Sequence, residues 1–535
     1  MSPVPRLRRN DFGASTTTVD VLVIGGGITG AAIAYEAASR GLDVALVERS
    51  DFGGATSAAT GKLIHGGLRY LKQFDVRLVR ESLAERRTLM SIAPNLVSPI
   101  PMVLPDPGIV ERVGLTAYDL LSADRNRIDD PTKHIPRHRI LDHVELAARG
   151  LTDLHSGALF HDAMMAFPER LTLAFLRSAA EHGALIANDV AVQTIIGGGG
   201  RVVGAHICDR LTGAAGEVRA RVTVNATGPW ARDVLAGSPL TENLAGPPPT
   251  VRSEGIYLVT RELSTTMVLT VSGHGHFSFA PWRGLSLIGP TETPYRDAVE
   301  DWRLTRASIE TFLDAINSAS MVPVRLDLDD VVAAYGGLRP LTEQNGEDTY
   351  NASRASELVD HRKDGLAGIV TATGGKYTNS RAFAQKAVTA LAEREGLSVR
   401  RSSSASTLLA GCLPTGEHSS RAGGLDARTV AIVEQIYGTD ADDVLARAIE
   451  CPELARPVTR DGIPLAAVAH SARHEAPRTL LDLLLRRTGI GTVGLPADDD
   501  LTAMAQIAGA ELGWDAARIT REIAEARAGL GVPVD

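Results

Sequence analysis

The apolar positions near the start of the chain follow a pattern typical of an α/β unit. Residues 21–24 are a continuous apolar run, which is what a buried parallel strand needs. Ile33, Ala34 and Ala37 then recur at helical spacing, and a second apolar run follows at residues 44–47. The pattern predicts a strand, a helix and a second, parallel strand in succession.

Further runs predict that the chain returns to the same sheet. Residues 184–187 supply a third parallel strand, and alternating segments around residues 197–200 and 213–216 predict a small antiparallel meander. The run 222–224 then leads into Asn-Ala-Thr-Gly-Pro-Trp at residues 225–230. The first domain is therefore expected to be discontinuous in sequence.

The last third of the chain has a different pattern. The stretch 400–404, Arg-Arg-Ser-Ser-Ser, indicates a linker. Beyond about residue 405 the apolar positions have helical periodicity without clear strands, as where Leu480, Leu483 and Leu484 share one helix face. We expect an all-α domain there.

Composition excludes several classes of protein. A chain of 535 residues with 44% apolar and 22% charged residues is an ordinary globular protein of about two to four domains. Its net charge of −9 gives no electrostatic basis for nucleic-acid binding. Three scattered cysteines indicate neither a disulfide framework nor a zinc site. No apolar run reaches the ~18 residues of a membrane-spanning helix, so we expect a cytoplasmic protein, soluble or peripheral.

The strongest chemical signal lies between the first two predicted strands. Gly25, Gly27 and Gly30 form G-x-G-x-x-G, and Glu48 closes the second strand. The first glycine allows a tight turn, the second lets a pyrophosphate approach the backbone, and the third lets helix and strand pack closely. The helix that follows directs free amides at the phosphates, and Glu48 accepts hydrogen bonds from a ribose diol. This context predicts a dinucleotide site, but FAD and NAD share the fingerprint.

The choice between FAD and NAD comes from other segments. A strand that ends in Ala-Thr-Gly after a meander resembles the two-dinucleotide-binding-domain flavoproteins. Residues 55–71, ATSAATGKLIHGGLRYL, hold small and hydroxyl side chains and a backbone tight enough to lie along a flavin. This run closely resembles the aerobic, FAD-dependent glycerol-3-phosphate dehydrogenases. Segments within 281–292, 335–341 and 374–381 agree with that family, and 472–488 resembles its helical cap domain.

The resemblance implies a fold of the α/β class. It is a two-dinucleotide-binding-domain FAD fold with a doubly wound mixed sheet, a β-sheet substrate domain and a C-terminal all-α cap domain. The expected boundaries are 18–95, 165–250 and 335–395 for the FAD-binding domain, 96–164 and 251–334 for the substrate domain, and 405–535 for the cap domain.

The resemblance also implies which residues contact FAD. They come from the glycine turn, the end of the second strand, the run at 55–71, the returning strand, the Ala-Thr-Gly segment and the loop at 374–378. These residues are Gly25, Gly27, Ile28, Thr29, Gly30, Glu48, Arg49, Thr56, Ser57, Lys62, Leu63, Ile64, His65, Gly66, Gly67, Val190, Ala226, Gly228, Trp230, Gly375, Lys376, Tyr377 and Thr378. No metal site is expected.

Cations are the candidates for substrate recognition. Oxidation of a secondary alcohol needs hydride departure and proton loss, and a phosphate handle favours arginine, whose planar fork binds phosphate bidentately. By resemblance, Arg69 and Arg339 line the substrate site and Lys376 lies against flavin and substrate. Arg354, in a loop of variable sequence, is the fourth catalytic candidate.

One departure from the family concerns the proton acceptor. The family carries a Lys-Gly-Ser-His segment whose histidine is a candidate base, whereas residues 251–259 read VRSEGIYLV. In the simplest alignment Ile256 takes the place of the histidine, with Glu254 and Tyr257 nearby. Loss of a general base typically costs ~10²–10⁴-fold in rate. Another group or water therefore takes the proton, or the preferred substrate differs.

The sequence thus predicts FAD-dependent oxidation of sn-glycerol 3-phosphate to dihydroxyacetone phosphate, with hydride transfer to flavin N5 and electrons passed to a membrane quinone. The alternatives are a dehydrogenase of another polyol phosphate such as erythritol phosphate, an oxygen-using oxidase, an NAD-only dehydrogenase and a non-catalytic flavin sensor. A locally basic surface either contacts phospholipid headgroups or is a solvated loop; in it His134, His138 and His143 alternate with Lys133, Arg137 and Arg139. A homodimer and peripheral contact with the cytoplasmic membrane face are left open.

Overall fold

The structure, a computed structural model, describes residues 7, 9–12, 16–71, 75–245, 252–269, 277–319, 325–340, 356–414 and 423–533. For Arg69 and Ala245 it describes the backbone alone.

The strands, in chain order, are β1 (Thr16–Ile24), β2 (Val44–Val47), β3 (Leu63–Ile64), β4 (Val97–Pro105), β5 (Arg139–Leu141), β6 (Gly157–Met165), β7 (Leu185–Ala187), β8 (Val190–Gly198), β9 (Arg201–Asp209), β10 (Ala215–Asn225), β11 (Arg252–Arg261), β12 (Met267–Leu269), β13 (Ser278–Trp282), β14 (Leu285–Gly289), β15 (Thr293–Tyr295), β16 (Val331–Arg339), β17 (Glu357–Asp360) and β18 (Ile369–Thr373). The helices are α1 (Ile28–Ser39), α2 (Val76–Ile92), α3 (Ile109–Leu121), α4 (His143–Ala147), α5 (Pro168–Glu181), α6 (Ala231–Ala236), α7 (Arg306–Ser318), α8 (Ser380–Glu395), α9 (Ala427–Tyr437), α10 (Ala441–Glu450), α11 (Leu465–His474), α12 (Asp498–Leu512) and α13 (Ala516–Leu530).

The first sheet is built on the apolar runs at the start of the chain. β1 lies between β2 and β10 and is parallel to both, in the order β17-β18-β10-β1-β2-β7. Helices α1, α5 and α8 contribute to the core on one face of β1 and β2, and β8 and β9 to the core on the other. Because both faces are covered, all four residues of β2 are buried. The predicted third parallel strand (β7) and the antiparallel meander (β8, β9 and β10) are present.

The second sheet is mixed and largely antiparallel. Its order is β15-β11-β14-β13-β12-β4-β6-β3, with β16 paired to β11 and β5 paired to β6. β16 pairs with β11 along its whole length, from Val331 opposite Thr260 to Arg339 opposite Ser253. The expected domain boundary at residue 335 therefore falls inside a strand, and Arg339 belongs to the second sheet.

The C-terminal helices form a core of their own. The named elements of residues 423–533 are all helical, and Leu480, Leu483 and Leu484 are fully buried among them. This confirms the expected α/β fold with an all-α C-terminal domain. None of the described helices is long and apolar enough to cross a bilayer.

Candidate active site

The turn after β1 is shaped by three glycines. Gly25 has φ +109°, and a Cβ there would lie 2.6 Å from the carbonyl oxygen of Ala226. A Cβ on Gly30 would overlap the carbonyl oxygen of Gly25, and one on Gly27 would lie 2.9 Å from Ser57 Oγ. The turn after β1, helix α1 and the neighbouring segments can approach one another this closely only because these three positions have no side chains.

Glu48 is fixed beside this turn at the end of β2. Its Oε2 accepts a hydrogen bond from the N–H of Gly26 (2.7 Å), and its Oε1 accepts one from the N–H of Ser50 (2.8 Å). Backbone donors therefore hold the carboxylate where the sequence analysis places ribose binding.

A cavity of about 1690 Å³ extends from the glycine turn to the second sheet. That volume exceeds the ~300–1,000 Å³ of ordinary ligand pockets, so it can take a dinucleotide together with a second ligand. Of the residues predicted to bind cofactor or substrate, those that line it are Gly25, Gly27, Ile28, Thr29, Glu48, Arg49, Thr56, Ser57, Leu63, His65, Gly67, Val190, Ala226, Gly228, Trp230, Arg339, Gly375, Lys376, Tyr377 and Thr378. Segments far apart in sequence thus meet in one space.

Four predicted cofactor residues do not line this cavity. Gly30 packs against the carbonyl oxygen of Gly25, which a Cβ at position 30 would overlap. Ile64 is fully buried in the core of the first domain. Gly66 is packed so closely that a Cβ there would overlap Tyr118 and Leu83.

Lys62 is the fourth, and its side chain turns into the protein interior. Its φ of +59° departs from the ordinary strand conformation. The side chain is buried, and its Nζ lies 4.5 Å from the Trp282 ring centroid and 4.9 Å from that of Tyr335. Burial lowers the pKa of Lys62. The two rings give the ammonium group a favourable cation–π environment.

A buried polar network that the sequence analysis missed supports the loop at 65–67. Asp162, on β6, accepts hydrogen bonds from the Tyr118 hydroxyl (2.8 Å), from Arg86 (2.5 Å) and from the N–H of Gly66 (3.3 Å). Asp162 itself lines the cavity. The one available signal was the adjacent polar pair His161 and Asp162 within an otherwise apolar strand.

The cationic side of the cavity contains Arg339 and Lys376. Arg339 donates from Nη1 to Glu292 Oε1 (3.0 Å) and from Nη2 to the Thr291 carbonyl (3.1 Å). The Nζ of Lys376 lies 3.9 Å from the Tyr70 ring centroid. Of the two other predicted cations, Arg354 lies outside the described residues, and for Arg69 the backbone lies in the 3-10 turn Leu68–Leu71.

Ile256, which the simplest alignment puts in the place of the family's histidine, lies in a hydrophobic core. Its side chain belongs to a core formed with Phe279 and Phe312. Side chains alternate along a strand, so Gly255 and Tyr257 share the opposite face of β11. Tyr257 lines the cavity, whereas a Cβ on Gly255 would overlap the guanidinium of Arg339. The position that the sequence analysis assigned to the missing histidine therefore points away from the site.

The far end of the cavity is both aromatic and charged. The guanidinium of Arg49 lies 4.4 Å from the Trp230 ring centroid, and the indole N–H of Trp230 donates to Glu300 (2.7 Å). Val190 and Val192 add apolar surface. Such a surface suits a planar base attached to the ribose near Glu48.

The basic run considered for membrane contact is only partly exposed. Lys133 is buried and donates to Ser98 Oγ (2.8 Å), and the ring of His138 contacts Asp119 at 2.8 Å. Lys133 therefore cannot contribute to a basic surface.

The fold and the cavity define a dinucleotide-dependent oxidoreductase. Residues 20–385 match the family described as FAD dependent oxidoreductase, and residues 373–519 match the C-terminal domain of alpha-glycerophosphate oxidase. The chain belongs to the FAD-dependent oxidoreductase family, among the glycerol-3-phosphate dehydrogenases, and is an enzyme of this type.

Individual relatives span nearly the whole chain. Glycerol-3-phosphate dehydrogenase 2 of Mycobacterium tuberculosis is 32% identical over 95% of this chain and 87% of its own length. The glycerol-3-phosphate dehydrogenase of Synechocystis is 30% identical over 91% of each chain. The crystal structure of glycerol-3-phosphate dehydrogenase from Bacillus halodurans complexed with FAD superposes with a TM-score of 0.73 at 28% identity, covering 97% of this chain and 95% of that one.

The residues present fit FAD, the cofactor of this family. The glycine turn leaves room for a pyrophosphate at the start of α1, a helix of 12 residues whose N-terminal end suits phosphate oxygens. Ile28 N–H at present donates to Ser57 Oγ (3.0 Å), so hydroxyl and amide already converge at this point.

Proposed function

We propose that this enzyme oxidises sn-glycerol 3-phosphate to dihydroxyacetone phosphate. The observation that carries the proposal is that Arg339 and Lys376 line the same cavity as the glycine turn and the loop at 55–67. A charge-assisted hydrogen bond contributes ~1.5–3 kcal/mol, so two such cations would dominate the orientation of a phosphate-bearing substrate. The substrate named for the relatives from Mycobacterium tuberculosis and Synechocystis supports this choice.

In this proposal the two sheets have separate roles. The first sheet holds FAD through the glycine turn, Glu48, Arg49 and the segment 375–378. The second sheet supplies Arg339 and closes the substrate side. FAD, when bound, supplies the hydride acceptor at N5, and we propose that the electrons then pass to a quinone at the cytoplasmic membrane face.

The proton of the substrate hydroxyl needs an acceptor. His65 has the one imidazole among the described residues that line the cavity. Its backbone N–H donates to Thr378 Oγ1 (3.1 Å), which places it beside the segment that contains Lys376. Imidazole is suited to proton transfer near neutral pH, and we propose His65 as the acceptor.

His65→Gln tests the assignment of the base. We expect a rate of flavin reduction lower by ~10²–10⁴-fold, with FAD still bound and the acid limb of the pH–rate profile absent. Reduction at the wild-type rate with an unchanged profile would assign the proton to water or to another group.

An anaerobic substrate panel tests the function itself. The flavin absorbance of the purified holoenzyme is followed with glycerol 3-phosphate, erythritol 4-phosphate and glycerol. Bleaching by glycerol 3-phosphate at the lowest concentration is expected. Preferential bleaching by erythritol phosphate would assign that compound as the substrate. A flavin that none of the three compounds bleaches would indicate a sensor. Reoxidation by oxygen and by a soluble quinone, compared in the same cuvette, identifies the acceptor.

A further inference from the structure

Arg339 is held by contacts on two sides. Its side chain is 15% exposed and that of Glu292 is 10% exposed, so their hydrogen bond at 3.0 Å is largely shielded from water. The second contact, to the Thr291 carbonyl, is equally short at 3.1 Å. Two fixed acceptors determine the plane of a guanidinium group, whereas one acceptor would leave it free to rotate.

The acceptor segment is itself tied to the strand beside Arg339. Ile256 N–H donates to Thr291 Oγ1 (2.9 Å), and Thr291 N–H donates to the Ile256 carbonyl (3.1 Å). This reciprocal pair fixes residues 291–292 against β11. β11 in turn pairs with β16, the strand that ends at Arg339. Arginine and acceptors therefore belong to one rigid part of the second sheet.

Gly255 leaves the space that the guanidinium occupies. A Cβ at this position would overlap Arg339 Nη2, and it would also lie 3.0 Å from Nε. The nearest atoms belong to the end of a flexible side chain and not to the backbone. A side chain at 255 would therefore displace Arg339 while leaving the sheet intact.

We propose that Gly255, Thr291 and Glu292 form a socket that positions Arg339 for the anionic group of the substrate, with Glu292 as the positioning residue. The inference rests on the proposed function and adds residues that were not among the predicted site residues. In the proposal Glu292 does not touch the reacting atoms. It orients the arginine that binds the phosphate. Gly255, which has no side chain, leaves the space that the guanidinium of Arg339 occupies in that orientation.

A double-mutant cycle on the holoenzyme tests the socket. Glu292→Gln, Arg339→Lys and the double variant are compared by two measurements: the dissociation constant of inorganic phosphate, from the flavin absorbance change, and the KM and kcat for glycerol 3-phosphate. We expect Glu292→Gln to weaken phosphate binding and raise KM by about 10- to 100-fold, with a smaller change in kcat. The double variant should be no worse than Arg339→Lys within about twofold, because both changes remove one interaction.

Two further variants complete the design. Gly255→Ala should reproduce the weaker phosphate binding while its flavin spectrum and melting temperature stay at wild-type values. Glu254→Gln is the matched control, since Glu254 precedes Gly255, does not line the cavity and accepts a hydrogen bond from Trp302 (2.7 Å) instead. It should leave phosphate binding and KM unchanged.

The outcomes separate this inference from the proposed function. Unchanged phosphate binding in Glu292→Gln, or strictly additive effects in the cycle, would overturn the socket even if glycerol 3-phosphate reduces the flavin. Weaker phosphate binding in Glu292→Gln would support the socket even if glycerol 3-phosphate proves not to be the substrate, because inorganic phosphate needs no turnover.

Discussion

Arg487 of the helical domain forms a two-point ion pair with Asp51, three residues beyond Glu48. Nη2 lies 2.6 Å from Oδ1 and Nη1 lies 2.8 Å from Oδ2, and Arg487 is fully buried. Burial alone would raise the pKa of Asp51, but Arg487 and Arg486 hold it well below its ordinary value. Since Asp51 lines the cavity, this contact joins the C-terminal helices to the proposed cofactor site.

Arg487→Met tests the importance of this contact. Arg487→Met removes two charge-assisted hydrogen bonds to Asp51, which keeps Arg486 as a cationic partner. We therefore expect the free energy of unfolding to fall by ~1.5–3 kcal/mol and FAD to be released more easily. Urea denaturation and FAD retention on dialysis measure the two effects. Arg456→Ala, which breaks the more exposed pair with Asp500, is the control and should cost less than ~1 kcal/mol. Equal losses in both variants would refute the structural role.

The pair between Glu475 and Arg170 predicts a pH-dependent stability. Burial opposes the charged form, but Arg170, His470 and Arg177 outweigh it and lower the pKa of Glu475 from 4.5 to about 2. A carboxyl with a depressed folded-state pKa stabilises the fold above its unfolded-state pKa, and this contribution is lost as the pH falls toward 2. Glu475→Gln should therefore be less stable than wild type by about 3 kcal/mol at pH 7. The difference should shrink steadily below pH 4.5 in urea denaturation; a difference independent of pH would contradict the assignment.

The glycine turn can be tested by adding one methyl group. Gly30→Ala should prevent FAD binding or folding, because the new Cβ would overlap the Gly25 carbonyl oxygen, and backbone cannot move aside as a side chain can. Gly198→Ala is the matched control, since nothing lies within 4 Å of a Cβ there. Flavin content of the two purified variants gives the result. Stoichiometric FAD in Gly30→Ala would show that the turn is looser than described.

Ile256→Ala separates packing from catalysis. Because Ile256 lies in the core with Phe279 and Phe312, its truncation should lower the free energy of unfolding by ~2–5 kcal/mol. KM and kcat should stay close to wild type, since the side chain points away from the cavity. A large catalytic loss without loss of stability would place residue 256 in the site after all.

The elements with a local signal were predictable. The runs that became β1, α1 and β2 are apolar at the spacing of their own structure. Leu480, Leu483 and Leu484 are buried together, and the last two lie in the π-helical segment Asp482–Arg487. Most of the predicted site residues line one cavity. They could be predicted because they lie in short contiguous motifs that resemble those of a known family.

What could not be predicted depends on pairing between distant segments or on backbone angles. β16 belongs to the second sheet because it pairs with β11, about 80 residues earlier, and no pattern within β16 shows this. Lys62 is buried and has a positive φ although it is not a glycine, and no pattern along the chain shows either feature. The face of Ile256 depends on strand register, in which a shift of one residue reverses every side chain.

The central claim, that Arg339 binds an anionic alcohol beside the flavin, is tested most directly by one anaerobic titration. Wild type and Arg339→Ala, each with its full flavin content, are titrated with glycerol 3-phosphate while the flavin absorbance is recorded. We predict that the wild-type flavin bleaches and that Arg339→Ala needs at least ~100-fold more substrate for the same bleaching, as expected for a lost charge-assisted contact of ~3 kcal/mol. Bleaching of both proteins at the same concentration, or of neither at any concentration, would contradict the account.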